Sequence, residues 1–473
     1  MSKLIPFLLS CILSLQACRK EEASLNIFDL QTEYSENPLG IDVPAPCFSW
    51  KLSDSLNNAR QQSYLVLVAS EPDLLTFSKA DMWNSGWEES SQTNLVAYKG
   101  RKLESGKKYY WKVFIKDNYG RESTNTSEAF FETGLLEKDD WKAHWISFAP
   151  EKESRSIPPD GHLQPGSIML RKEFAVQKPI KQARVYISGL GGYILYLNGE
   201  RIGNDIFTQS RTDFKKGIPY QTYDITEFLV KGENAAGILL GNKWWSDGPG
   251  WKNGQTHSKG ILRAIAQIHI IYKNGKEQTL ITDKSWRGYP SPIIHNSIDQ
   301  GETYDARLEI PLWNEPGLED SKWYEVKEIR QDTFLLSAQK EPITKVRDII
   351  IPVTVKEVKP GIFVYDMGIN MLGFARLKVE GENSDTITMK FGELLHDDGT
   401  VRRDPHRSAI ATDRYILKGT GMETWQPSFT YRSFRYIQVE GFPAKPGREN
   451  ISGIKISISG KDGENIFGFH SFL

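Results

Sequence analysis

The stretch Tyr110-Trp111-Lys112-Val113-Phe114-Ile115-Lys116 decides the fold class of this chain. Trp111, Val113 and Ile115 recur at every second position, with Lys112 and Lys116 between them, the period of a half-buried strand. Ala375, Leu377 and Val379 alternate in the same way with Arg376 and Lys378, and Ile387, Met389 and Phe391 with Thr386, Thr388 and Lys390. Tyr64-Leu65-Val66-Leu67-Val68 is apolar throughout, as expected of a strand covered on both faces. Asn198-Gly199, Asn274-Gly275 and Asp398-Gly399 are hairpin pairs suited to positive φ. No long stretch carries a helical repeat. The expected class is all-β, a multi-domain chain of β-sandwiches and jelly rolls.

The chain has 473 residues, enough for about three domains at ~100–200 residues each. The first is expected over 25–135, a fibronectin- or immunoglobulin-like sandwich ending in Ala129-Phe130-Phe131-Glu132-Thr133-Gly134. Polar Glu137-Lys138-Asp139-Asp140 follows, and Trp141 and Trp145 open a jelly-roll module over 141–340, which contains a polar Pro/Gly stretch at 156–166. A second β-sandwich is expected over 343–460, after Pro342. Residues 461–473 are read as a truncated tail, far below the ~50 residues of a minimal domain.

The start of the chain reads as an address. Lys3 precedes the apolar run from Leu4 to Leu15, which is shorter than the ~20 residues that span a bilayer. Leu15-Gln16-Ala17-Cys18 is similar to a bacterial lipobox. Residues 1–17 are then a signal peptide, Cys18 the lipidated first residue and 18–24 a linker, which anchors an exported protein to a membrane at the periplasmic or outer surface. With Cys11 removed and Cys18 lipidated, Cys47 is alone and no intramolecular disulfide forms. Its setting, Pro46-Cys47-Phe48-Ser49-Trp50, suggests a packed small residue and not a nucleophile.

A formal net charge of −1 supplies no basic field for nucleic acid. There is no phosphate-binding Gly-rich loop ending in Lys-Ser/Thr and no His-Glu-x-x-His zinc helix. Ser188-Gly189-Leu190-Gly191-Gly192 is too short for a dinucleotide fingerprint and reads as a tight turn.

The best binding candidate is Gly241-Asn242-Lys243-Trp244-Trp245-Ser246-Asp247-Gly248-Pro249-Gly250-Trp251-Lys252-Asn253. Sugar rings stack their C–H faces on flat aromatics, while their hydroxyls need short amides and carboxylates; a Gly-rich loop lets both approach closely. Trp244, Trp245 and Trp251 are the candidate stacking residues, and Asn242, Asp247 and Asn253 the candidate hydroxyl partners. The competing reading has Trp244 or Trp245 capping the core; on a strand, one of two adjacent Trp points inward and the other outward.

Several motifs, in order, resemble the bacterial α-L-rhamnosidases of glycoside hydrolase family 78. They are Asn37-Pro38-Leu39-Gly40-Ile41-Asp42 with Phe48-Ser49-Trp50; Tyr196-Leu197-Asn198-Gly199, Tyr220 to Thr226, Gly232-Glu233-Asn234 and Gly301 to Arg307; and Asp366-Met367-Gly368-Ile369-Asn370, Glu393 to Gly399, Asp413-Arg414-Tyr415 and Phe434-Arg435-Tyr436. The resemblance implies that catalysis belongs to a helical (α/α)6 barrel following such β modules, where two carboxylates serve as acid and base. No residue here matches that barrel, so no catalytic residue carries over. Related members carry a rhamnose-binding, calcium-dependent jelly roll. By that resemblance Asn204 and Asp205, with Asp247 or Asn253, are candidate Ca²⁺ ligands, against the simpler reading of a turn; Ca²⁺ seeks about six to eight oxygens. Glu393, Asp397, Asp398 and Asp413 are expected to be solvated acids, with Asp397-Asp398-Gly399 in a turn.

Three functions follow from the resemblance. The leading one is binding of rhamnose-containing glycans, or scaffolding as the non-catalytic part of a rhamnosidase, by a chain inactive alone, with a separately encoded catalytic barrel as a candidate partner. The second is an active, inverting α-L-rhamnosidase, and the third an inert product of a truncated or split gene.

Overall fold

The computed structural model describes residues 25–123, 127–148, 166–208, 212–214, 216–246, 261–329, 335–404 and 409–458. Cys18, the 1–17 signal, nearly all of the 156–166 stretch, Asp247, Trp251, Asn253 and the 461–473 tail lie outside them. The chain divides into two compact units, residues 1–133 and 134–473.

In the first unit, strands Asn26–Thr32, Cys47–Ser53 and Val96–Ala97 form one sheet. Gln61–Ala69 and Lys108–Asp117 pair antiparallel at the centre of the other. Lys108–Asp117 alternates in burial along its whole length, with Trp111, Val113 and Ile115 fully buried. Phe48 crosses from the first sheet to meet Trp111, ring centroids 4.5 Å apart, and Phe131 at 5.9 Å. Leu65 to Val68 are buried on both faces because Leu74, Leu75, Ala80 and Trp87 cover the outer one. The motif at Asn37 is architectural. Its φ of 47° turns the chain, and its Oδ1 accepts the Phe130 N–H at 2.8 Å. Cys47 is a free, half-buried thiol; burial, and then the nearby Glu33 carboxylate, raise its pKa, so the thiolate nucleophile is disfavoured.

The second unit begins with a jelly-roll sandwich. One sheet contains Gly192–Leu197, Gly232–Gly241, Ile168–Val176 and Arg287–Pro290; the other contains Trp145–Ser147, Arg263–Tyr272, Ile180–Leu190 and Ile218–Asp224. Leu170, Val185, Ile187, Leu195, Ile238 and Ile268 meet between them. Asn234, fully buried, ties the Val230–Gly232 turn to Asn198: its Oδ1 accepts from the Val230 N–H and the Asn198 amide, and its Nδ2 donates to the Val230 and Gly232 carbonyls.

The following β module, the expected second β-sandwich, is built from one ten-stranded sheet, counted among the described residues, that folds over its own core. Its spine is Ile362–Glu380, 19 residues long. The ladder to Arg432–Glu440 is interrupted between Asp366 and Met371. Before the interruption the spine pairs with Thr354–Lys359, after it with Ile451–Ile458. A bulge bends and twists a strand locally, which carries the sheet around its own core. Arg435 clamps the bend by gripping Asp366 with two hydrogen bonds, 2.9 and 3.0 Å.

The motif at Gly301–Asp305 pairs in parallel with Thr412–Ile416 in the ten-stranded sheet and antiparallel with its own hairpin partner, Ile293–Ser297. Gly301 is required there, because at φ 114° a Cβ would collide with the Thr412 carbonyl. Of the three hairpin pairs, only Asn198-Gly199 has both residues at positive φ (50° and 85°). At Asn274-Gly275 and Asp398-Gly399 only the glycine is left-handed, and a turn carbonyl three residues back accepts its N–H. These longer loops place a single residue, not two, in that region.

Candidate functional site

The first half of the 241–253 segment is a helical turn, Lys243–Ser246, and not a strand. Trp245 is buried in the jelly-roll core, edge-on to Phe214 at 5.1 Å, and its indole N–H donates to the Ile261 carbonyl at 3.0 Å. Asn242 is also fully buried; its amide donates to the Asn296 carbonyl at 2.9 Å. Both therefore serve the fold where the sequence offered them to a sugar. Trp244 remains half-buried.

Asn204 is exposed and Asp205 is buried. The Asp205 carboxylate accepts the Tyr223 hydroxyl at 2.8 Å, and its backbone carbonyl accepts from Arg201 at 2.5 Å. A carboxylate committed to a tyrosine inside a turn is a poor start for a six-oxygen Ca²⁺ shell. Among the described residues no group of three or more His, Cys, Asp or Glu could hold a metal ion.

The two candidate segments flank one cleft, which the motifs do not mark. It is a shallow, partly open depression lined by Arg201, Ile206, Phe207, Phe374, Gln426 and Ser428, with the buried Tyr193 and Phe429 beneath them. The Asn204–Asp205 turn leads directly into Ile206 and Phe207. Lys243, behind the floor, donates its ammonium to the Phe207 carbonyl. Burial lowers the Lys243 pKa to about 7. A Cβ at Gly241 or Gly192 would run into Phe429, so both glycines are needed for the close approach of the sheet to the cleft floor. Gln426 Oε1 accepts from Arg376 Nε at 2.9 Å, which leaves its amide nitrogen as the donor end of the side chain. The lining thus combines aromatic and aliphatic faces with a guanidinium, an amide and a hydroxyl, the mixture by which small polar ligands are oriented.

Beneath Ser428 lies a buried acidic cluster. Glu302 accepts the backbone N–H groups of Ser428 (3.0 and 3.1 Å) and Phe429 (2.9 Å). Asp413 Oδ1 accepts from the Glu302 N–H at 3.0 Å and from Arg432 at 2.9 Å. Desolvation raises both carboxyl groups, Glu302 to about 8, although the two backbone donors and Arg432 act in the opposite sense. Asp413 is therefore no solvated acid, contrary to its sequence reading: it sits at the closed centre of the sheet, where Gly301 brings the two strands together. Asp397 and Asp398 are exposed as expected, and Asp398 accepts from Thr400 within its turn and pairs with Lys359 at 2.7 Å. Glu393 is half-buried beside them.

Three family models match successive parts of the chain: a Rha78A-like, N-terminal immunoglobulin domain over 27–137, an alpha-L-rhamnosidase N-terminal domain over 178–348, and a bacterial alpha-L-rhamnosidase concanavalin-like domain over 356–457. A curated alpha-L-rhamnosidase of Formosa agariphila is 32% identical over 468 residues, covering 93% of this chain and 49% of the relative. The solved alpha-L-rhamnosidase of Dictyoglumus thermophilum superposes with a TM-score of 0.85 at 36% identity, over 92% of this chain and 49% of that one. The Streptomyces avermitilis alpha-L-rhamnosidase, solved in complex with L-rhamnose, gives 0.85 at 26% identity, over 92% and 58%. The chain spans about half the length of the curated relatives it matches. In this order the chain carries the immunoglobulin-like, N-terminal and concanavalin-like domains of bacterial α-L-rhamnosidases.

Proposed function

We propose that this chain is the non-catalytic, glycan-recognising part of an α-L-rhamnosidase and binds rhamnose-containing glycans. The observation that carries this reading is the cleft of Arg201, Phe207, Gln426 and Ser428, a saccharide-type lining in a chain built of rhamnosidase β domains. The buried state of Glu302 and Asp413 supports a non-catalytic role, because neither carboxyl reaches solvent to protonate a leaving group or activate water.

Titration calorimetry of the whole chain with L-rhamnose and methyl α-L-rhamnoside is expected to give a dissociation constant on the order of micromolar to millimolar, since one ring buries few atoms. Phe207→Ala should weaken it at least tenfold while circular dichroism is unchanged. Trp244→Ala reports separately on the 241–253 loop, where Trp251, Asp247 and Asn253 are further proposed contacts. A chelator tests whether Ca²⁺ contributes through Asn204 and Asp205. Silence at tens of millimolar sugar would overturn binding, and release of nitrophenol from an aryl α-L-rhamnoside by the purified chain would overturn the non-catalytic reading.

The proposed site of action is a membrane, periplasmic or at the outer surface, through lipid on Cys18. Palmitate labelling of the wild type that is lost in Cys18→Ala is the expected result, and equal labelling of both would count against it.

A further inference from the structure

Resting on the reading that the cleft binds a saccharide, we propose that the unit it takes is acidic: a sugar carrying a carboxylate or a sulfate ester, held through Arg201 and the Gln426 amide. Around the cleft two guanidinium groups, Arg201 in the lining and Arg376 behind Gln426, stand against the single carboxylate of Asp205. Among the described residues, Arg201 has no carboxylate partner; one nitrogen donates to the Asp205 backbone carbonyl and the rest of its guanidinium is uncommitted on an exposed edge strand. Arg376 likewise meets no carboxylate among the described residues, and donates instead to Gln426 Oε1. That bond fixes the Gln426 amide with its N–H groups available to an acceptor.

The anionic groups around the cleft offset these two cations only in part. Asp205 accepts from the neutral Tyr223 hydroxyl, which does not cancel its charge, whereas Glu302 faces away, bound to the backbone N–H groups of Ser428 and Phe429. Burial also holds Glu302 toward its neutral form. Lys243 stands behind the floor and adds charge of the same sign when protonated. A neutral sugar would leave Arg201 facing hydroxyls alone. An oxyanion would receive the charge-assisted hydrogen bonds that a guanidinium fork is shaped to give. Phe207, half-buried at the rim, and Ile206 supply the apolar face for the ring carrying that group.

The test is calorimetry of the whole chain with D-glucuronate, D-glucose 6-sulfate, neutral D-glucose and L-rhamnose, with sodium acetate and sodium sulfate as ion-only controls. At least one acidic sugar should bind ten times or more tighter than glucose, with affinity falling as salt rises. A preference for glucuronate assigns a carboxylate, and a preference for the 6-sulfate assigns a sulfate ester. Arg201→Gln should remove the preference, bringing the acidic sugar to within about threefold of glucose. The proposal is overturned if acidic and neutral sugars bind alike, if acetate or sulfate binds as tightly as the acidic sugars, or if Arg201→Gln leaves the preference intact. Rhamnose binding without an acidic preference sinks this inference alone, whereas no heat from any sugar sinks the saccharide reading beneath it.

Discussion

Replacing Arg432 by alanine is expected to cost the 134–473 unit about 3–5 kcal/mol, the loss typical of breaking one partner out of a buried charge pair. Arg432 donates to Asp413 at 2.9 Å and to Thr430 at 2.8 Å, and its guanidinium lies 4.4 Å from the centre of the Phe391 ring. Its Nε and Nη1, and Asp413 Oδ2, have no hydrogen-bond partner among the described residues, so the pair is already costly to bury. Without the arginine, Asp413 keeps only the Glu302 N–H as a donor, in a site with no access to water.

The loss should depend on pH. Asp413 and Glu302 both have folded pKa values raised by desolvation, so the folded state binds more protons than the unfolded state between their ordinary range and the raised values. Their stabilising contribution is complete at low pH and is lost as pH rises, for Glu302 through about 8. Removing Arg432 takes away a group that lowers Asp413, pushing its pKa further up and steepening this decline. Urea denaturation of Arg432→Ala at pH 5 and pH 8 should show the larger loss at pH 8, and Asp413→Asn in the same background should recover part of it. A loss below about 1 kcal/mol at both pH values would mean that the cluster is not the keystone proposed.

Truncating Trp111 to alanine is expected to destabilise the first unit by about 3–5 kcal/mol, the cost of an unfilled large aromatic cavity. Trp111 is fully buried between the sheets, 4.5 Å from Phe48, in the middle of a strand whose every second residue is buried. Its indole N–H has no hydrogen-bond partner among the described residues. Trp111→Phe keeps most of the ring volume and removes a buried orphan donor, so its cost should be about 1 kcal/mol or less. Denaturation followed at the first unit checks both. Equal losses for alanine and phenylalanine would overturn the cavity account of this core.

The alternating stretches determined their own burial. In Lys108–Asp117 the lysines face out and Trp111, Val113 and Ile115 face in, because a period of two leaves a half-buried strand only one economical orientation. The family motifs were equally legible, yet most of the residues in them that can be traced hold turns and ladders: Asn37 on Phe130, Asn198 on Asn234, Asp366 on Arg435 and Gly301 against Thr412. Local sequence states which backbone geometry is needed, so it carries these roles well.

The cleft was not legible. Arg201, Phe207, Gln426 and Ser428 come from segments more than two hundred residues apart, and no spacing or composition links them. They meet because Gly192 and Gly241 let the jelly roll approach Phe429, whose position follows from Glu302 accepting its N–H. The same long-range packing removed Trp245 and Asn242 from the surface, where their residue types alone suggested a sugar site. A tryptophan stacks as well on a core as on a ligand, and an asparagine bonds as well to a backbone as to a hydroxyl. Which of the two it does depends on what the rest of the chain brings beside it, and that is decided by the tertiary structure alone.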